Sequence, residues 1–246
     1  MKTSKNTVLI TGGTAGIGFA IAKLFAQNDN QVIVTGRNKE RLENAVKLLA
    51  NTTGIVSDVS NENDVSTLVE RLKKDYPNLN LVINNAGSAG VHNLNANEGA
   101  YKIAGEEILT NYLSIVRLNE KLLPVLQKQT EAAIVNVSSV VAFVASYAIP
   151  TYSASKAALH SYTQSLRNSL ADTSVKVFEL MPPLVDTEFS QEIGGSNGIP
   201  PAQVATELWD ALAKDNYEVR VGATEQLYQL SLSSPTNALA ALNAPR

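Results

Sequence analysis

A chain of 246 residues with a formal charge of −3 is long enough to bury a full α/β core, yet it has no excess of basic side chains to hold nucleic acid. It contains no cysteine, which excludes disulfide bridges, a thiolate nucleophile and cysteine-ligated metal; two histidines, His92 and His160, are too few for a multi-histidine site, so no metal is expected. The leading residues MKTSKNTVLITGG lack the apolar core of a signal peptide, and no later run approaches the ~20 apolar residues of a membrane span. The expectation is a cytoplasmic protein with no membrane partner.

Short β-branched runs alternate with longer amphipathic segments along the chain. Strands are predicted at 7–11, 31–35, 53–57, 79–83, 132–137 and 175–180, with a seventh at 218–221. Several are apolar almost throughout, the pattern of parallel strands covered on both faces. Helices are predicted over 17–27, where Ile17, Ile21, Leu24 and Phe25 share a face, then over 38–50 and 61–75, the latter with Asn61 as its cap. A long helix is predicted over 105–127, ended or kinked by Pro124, and another over 150–171. Strand–helix–strand alternation with right-handed crossovers gives a doubly wound parallel sheet with helices on both faces. No Pro/Gly/Ser-rich linker divides the chain, so one domain spanning 1–246 is expected. The stretch 191–201 (QEIGGSNGIPP) exceeds the usual connection of ~4–6 residues and reads as a lid or as an ordinary connection.

The first strand runs into Thr11-Gly12-Gly13-Thr14-Ala15-Gly16-Ile17-Gly18 and then a helix. Glycines let the backbone approach a phosphate, and the helix start turns unpaired N–H groups and its positive dipole end toward it. That is the arrangement of a Rossmann-like dinucleotide site, with Gly12, Thr14, Gly16, Ile17 and Gly18 as candidates. At the end of the second strand, an acidic residue would bind the adenosine ribose and repel a 2′-phosphate. Here the sequence is Thr35-Gly36-Arg37-Asn38, and Arg37 offers a charged planar fork suited to phosphate, with Asn38 beside it. NADP(H) is therefore the expected cofactor, against the alternative that Arg37 is a solvated charge.

Tyr152-Ser153-Ala154-Ser155-Lys156 lies in the helix predicted over 150–171, where residues four apart share a face. A free phenol is a poor base at neutral pH, but a neighbouring ammonium, together with the positive nicotinamide ring of the expected cofactor, favours the phenolate and lowers its pKa. Tyr152 is then a candidate to take a proton from an alcohol or give one to a carbonyl oxygen.

The loop T-G-x-x-x-G-x-G, the sequence Asn84-Asn85-Ala86-Gly87 after the fourth strand, Ser138-Ser139 after the fifth, and Y-x-x-x-K resemble the short-chain dehydrogenase/reductase family, in order, from Thr7 to Thr187. The resemblance implies that Asp58 and Val59 border the adenine and that Asn85, Ala86 and Gly87 line the cofactor cleft. It implies further that Ser139 orients the reacting oxygen, that Lys156 also binds ribose hydroxyls, and that Asn111 holds a proton-relay water. Pro182, Val185 and Thr187 match the segment that contacts the nicotinamide. Pro183 departs from the usual glycine and should stiffen that loop.

After Thr187 the resemblance weakens. A substrate loop is expected over 188–201 and a divergent part over 202–246. The closing helix and glycine-bearing strand of the family's 3-oxoacyl carrier-protein reductases are not recognisable there. Phe143, Val144, Tyr147 and Ile149 either line a substrate pocket or pack in the core. His92 either touches substrate or is packed, His160 is packed or solvated, and Trp209 is a core or interface anchor. The function implied is reversible NADPH-dependent reduction of a ketone or aldehyde by a homodimer or homotetramer. The alternatives are a 3-oxoacyl carrier-protein reductase and a non-catalytic NADP(H)-sensing protein.

Overall fold

Seven parallel strands form one sheet in the order β3-β2-β1-β4-β5-β6-β7 in the computed structural model, which describes residues 1–95 and 99–244. The strands are β1 (Thr7–Thr11), β2 (Gln31–Gly36), β3 (Thr52–Val56), β4 (Leu79–Asn84), β5 (Ala132–Val137), β6 (Val175–Met181) and β7 (Glu218–Arg220). They match the seven predicted runs to within a residue at each end. The last two residues of the divergent segment 202–246 lie outside the described residues.

Alternation along the strands divides the core. On one face, Val8, Ile10, Val32 and Val34 meet α1 (Gly16–Ala26) and α7 (Pro201–Lys214), through Ile21, Phe25, Val204, Leu208 and Leu212. On the other, Leu9 and Ile33 meet α3 (Glu62–Asp75) and α5 (Ser114–Leu126), through Leu68, Leu72, Leu118 and Leu122. Trp209 packs edge-on against Phe25 at 5.0 Å, so it anchors the core. Burying each large aliphatic or aromatic side chain contributes roughly 1.5–3 kcal/mol, which is why both faces of a sheet this apolar must be covered.

Asn38 caps α2 (Lys39–Lys47) and Asn61 caps α3, each side chain accepting a hydrogen bond from a first-turn N–H. The predicted helix 105–127 differs in outline. It begins earlier as α4 (Ala100–Ile108), after Gly99 in the left-handed region (φ 75°), passes through a π-helical turn at Leu109–Leu113, and continues as α5. Pro124 lies inside the last turn of α5 without ending it. Next come α6 (Pro150–Ser169) and, after β7, α8 (Thr224–Ser233) and α9 (Pro235–Leu242).

The stretch 191–201 is folded rather than extended. It forms 3-10 turns at Glu188–Ile193 and Gly195–Asn197 and is tied back by Ile199 N–H to Leu184 O (3.0 Å) and Asp186 N–H to Ile199 O (2.8 Å). The strand order reverses between β1 and β4, and the loops at the carboxyl ends of the strands open a cleft there, as this topology requires.

Candidate active site

The cleft, about 820 Å³, runs from the loop after β1 to the end of α9. Its floor at one end is the glycine loop. Gly12 has φ +66°, and a Cβ there would sit 3.0 Å from Ala86 Cα and 3.1 Å from Asn85 Nδ2. That close approach is locked: Thr11 Oγ1 accepts from the N–H groups of Asn85 (3.0 Å) and Ala86 (3.1 Å), and Asn85 Nδ2 donates to the carbonyls of Thr11 and Gly12. The Asn84–Gly87 segment therefore holds the loop in shape as well as lining the cleft. Asn84 itself turns inward, donating to Asn119 and Asn136. The start of α1 has no side-chain cap at Ala15, so its first N–H groups are turned to the cleft beside Gly16 and Ile17. Gly18 does not line the cleft. A Cβ there would lie 2.4 Å from Gly12 O, so this glycine serves the packing of α1 on its own loop.

At the far end of the cofactor half, Thr14, Gly36, Arg37, Asp58 and Val59 line the cleft as expected. Asn38 does not; its side chain is taken up by Arg41 N–H at 2.9 Å. Arg41 lines the cleft instead, and its guanidinium pairs with Glu188 across the opening. Sequence reading missed Arg41 because its partner lies 147 positions away.

The catalytic candidates converge where α6 meets the end of β5. Tyr152 sits in the first turn of α6, and Lys156 one turn later holds its Nζ 5.4 Å from the phenol ring centre. Lys156 Nζ donates to Val137 O at 2.7 Å. Ser139 follows β5, accepts from Val141 N–H at 3.3 Å and lines the cleft with the phenol. The expectation that Lys156 draws the phenol down needs correction. Burial, followed by the charge of Glu107, pushes Tyr152 well above the ordinary phenol value, with Ser139 only partly opposing it. Burial also brings Lys156 down to about 8, against the pull of Glu179. The phenol is thus held in its proton-donating form.

Asn111 lies in the π-helical turn, fully buried and behind the cleft wall. Its Nδ2 donates to Ser88 O (2.8 Å) and Ser155 Oγ (2.9 Å), and its Oδ1 accepts from Ser88 N–H (2.8 Å). It joins the loop after β4 to the catalytic helix without touching Lys156.

Two buried carboxylates escaped the sequence reading. Glu107, one turn before Asn111, accepts from Gly90 N–H at 2.8 Å through one oxygen; the other has no partner among the described residues. Glu179, in the middle of the otherwise apolar end of β6, binds Ser138 and His160. A lone acidic residue in VFELM was the available signal. His160 is therefore partnered rather than solvated. His92 is buried, with Nδ1 at 2.9 Å from Gly90 O, and stands outside the cleft lining, so it is packed.

The remaining walls come from Pro182, Pro183, Leu184, Val185 and Thr187 on one side. Tyr147 and Ile149 line the substrate end, whereas Phe143 and Val144 do not; Phe143 stacks edge-on against Tyr228 at 5.1 Å. The divergent segment closes this end: Asn243, just past α9, accepts from Tyr147 N–H (2.7 Å) and donates to Ala145 O (2.9 Å).

Residues 6–198 match the short chain dehydrogenase family. This chain belongs to that family. Among curated relatives, the uncharacterized oxidoreductase DltE of Bacillus subtilis is 41% identical over 207 residues, covering 84% of this chain and 82% of its own. An uncharacterized oxidoreductase of Staphylococcus aureus is 30% identical over 215 residues, 85% of this chain and 91% of its own. A short chain dehydrogenase from Burkholderia cenocepacia solved with NADP superimposes with a TM-score of 0.87 at 26% identity, covering 100% of both chains. One from Burkholderia phymatum solved with NAD gives 0.88 at 21% identity, covering 100% of this chain and 98% of its own. The protein is thus an oxidoreductase of the short-chain dehydrogenase family, whose fold binds a nicotinamide cofactor. Among the described residues no group of acidic and histidine side chains is arranged to hold a metal, and no helix is long and apolar enough to cross a membrane.

Proposed function

We propose that this oxidoreductase reduces a small, largely apolar ketone or aldehyde with NADPH, reversibly with the alcohol. The observation that carries this reading is the buried phenol of Tyr152 in the cleft wall, with Ser139 in the same wall and Lys156 Nζ 5.4 Å from its ring centre. The cleft residues fit a nicotinamide dinucleotide. Gly12 and Gly16 keep clear the space a Cβ would fill, beside the open start of α1. Arg37 and Arg41 offer guanidinium groups at the adenosine end, which favours a 2′-phosphate over a bare ribose. Asp58 and Val59 border the adenine, and Asn85, Ala86, Gly87, Pro182, Val185 and Thr187 hold the nicotinamide end.

When bound, the reduced cofactor supplies hydride to the carbonyl carbon. The protein's part is to place and protonate the oxygen. Ser139 orients it, Tyr152 gives up its proton as negative charge develops, and the Lys156 ammonium stabilises the phenolate left behind. Asn111 fixes the catalytic helix and supports reprotonation through its relay water.

Among the described residues the substrate end carries no cluster of basic side chains, since Glu192 is acidic and Glu188 is paired with Arg41, while Val141, Ile149, Phe189, Ile193 and Leu242 make it apolar. That favours a free small carbonyl compound over one tethered to an acidic carrier protein. Tyr101 and Leu113, large apolar side chains exposed on the helix that carries Asn111, favour self-association. The test is cofactor oxidation followed by absorbance with NADPH and NADH, across aliphatic and aromatic ketones and aldehydes and a 3-oxoacyl thioester. Turnover of a free carbonyl compound with NADPH preferred is expected. Preference for NADH or for the thioester would overturn the reading.

A further inference from the structure

Ser138, Glu179 and His160, none used by that reaction scheme, meet where α6 packs on the ends of β5 and β6. Tyr152, Lys156 and His160 follow one another at four-residue intervals on α6 and so share a face. Opposite them, β6 is apolar toward its end except for Glu179, which is 0% exposed. Its carboxylate accepts from Ser138 Oγ and engages His160 Nδ1 through both oxygens, at 3.0 and 2.9 Å. Ser138 lines the cleft, and its N–H donates to Leu180 O at 2.9 Å. Val137, whose carbonyl receives the Lys156 ammonium, is paired with that same Leu180. Lys156 thus stands one turn before His160 on the face of α6 that meets Glu179, with its ammonium held at the end of the strand paired with β6. A glutamine would fill the space of Glu179 without the cost of burying charge, so the charge itself calls for a role.

We propose that Glu179 is a positioning residue for the reaction: its buried carboxylate, anchored by Ser138 and His160, keeps the Lys156 ammonium charged beside the phenol of Tyr152. This rests on the roles given above to Lys156 and Tyr152. Burial alone discharges a lysine, and Lys156 is brought to about 8, with Glu179 as the one charge holding it up. Of the other charges around this face, Glu107 of α4 acts on Tyr152, whereas Glu179 is the charge that acts on Lys156. Arg167 of α6 and Glu218 of β7 face His160 and pair with each other at 3.3 Å. Arg220 of β7 pairs with Glu218 and with Glu225 of α8 and lies over the Tyr228 ring. His160 is held above the ordinary histidine value, chiefly by its hydrogen bond to Glu179.

The sign follows directly. Lys156 loses its charge as pH rises through about 8. In Glu179→Gln that loss moves to lower pH by about one unit or more, the effect of removing an adjacent opposite charge. Glu179→Asp keeps the charge and restores most of the shift. His160→Gln leaves the Glu179 carboxylate in place, so the Lys156 midpoint stays at or above its original value.

The experiment is NMR titration of the full chain labelled with ¹³C at lysine Cε, with the Lys156 resonance assigned through Lys156→Met. It needs no substrate, so its outcome is independent of whether the carbonyl reductase reading holds. A lowered midpoint in Glu179→Gln together with an unlowered one in His160→Gln supports the proposal. An unchanged midpoint in Glu179→Gln, or an equal fall in His160→Gln, overturns it. If Glu179→Gln does not fold, Glu179→Met, which also removes the charge and suits the apolar end of β6, is read by the same criterion. Once a substrate is in hand, the alkaline limb of the kcat profile should move with the NMR midpoint. A limb that stays fixed while the midpoint moves would break the link to the reaction.

Discussion

The two ends of the cleft are built by different means. The cofactor end is made largely of backbone: Gly12 turned into the left-handed region, the bare start of α1, and Asn85 bonded to the carbonyls beneath them. The substrate end is made of side chains on a 3-10 turn and at the end of α9, where Phe189, Ile193, Leu242 and Asn243 close the space. Where backbone must approach a ligand, few residue types are tolerated, and the constraint is written locally. Where a wall need only be apolar and of the right shape, many sequences serve.

That contrast can be broken from either side. The largest effect is expected for Gly18→Val. Its Cβ would lie 2.4 Å from Gly12 O, a backbone atom with little freedom to move. Overpacking of this kind costs about 1–3 kcal/mol, or ~2–4 °C in Tm for each kcal/mol in a chain of this size, and it distorts the phosphate loop as well. Thermal unfolding and NADPH binding by fluorescence should both register the change; an undisturbed affinity would mean that the loop is not held by this contact.

Arg37→Glu comes next. Losing a charge-assisted contact and placing a like charge beside a 2′-phosphate should weaken NADPH about 10–100-fold with little change for NADH. Equal losses for the two cofactors would remove Arg37 from phosphate recognition. The smallest effect is expected for Asn243→Ala. It deletes three hydrogen bonds, to Tyr147, Ala145 and Leu239, each contributing about 0.5–1.5 kcal/mol, and frees the tail from Ala145 and Tyr147. KM for the carbonyl substrate should rise up to about tenfold while NADPH affinity holds, and a loss of NADPH affinity instead would erase the distinction between the two ends.

The same contrast explains what could be read in the sequence. The strands of the central sheet were legible because each is a short apolar run with its own period, and the glycine loop, Asn84–Gly87 and Tyr152–Lys156 because their chemistry depends on residues only a few positions apart. Arg41, Glu179 and Asn243 were not. Each takes its role from a partner remote along the chain: Glu188, Ser138 and Tyr147. Asn38 misled for the opposite reason, since a local role as the cap of α2 outcompeted the cofactor contact expected of it. Nor does spacing alone fix the charge state of Tyr152. A lysine one turn away favours phenolate, but burial and Glu107 outweigh it, and burial cannot be read from a tetrad of letters.

The central claim is that the buried phenol of Tyr152 donates the proton. The most direct measurement is single-turnover and steady-state reduction by Tyr152→Phe, with NADPH binding followed in parallel by fluorescence. The account predicts a fall in kcat of about 10²–10⁴, the usual contribution of a general acid, with NADPH affinity essentially retained. Turnover within a few-fold of the unsubstituted protein would contradict it.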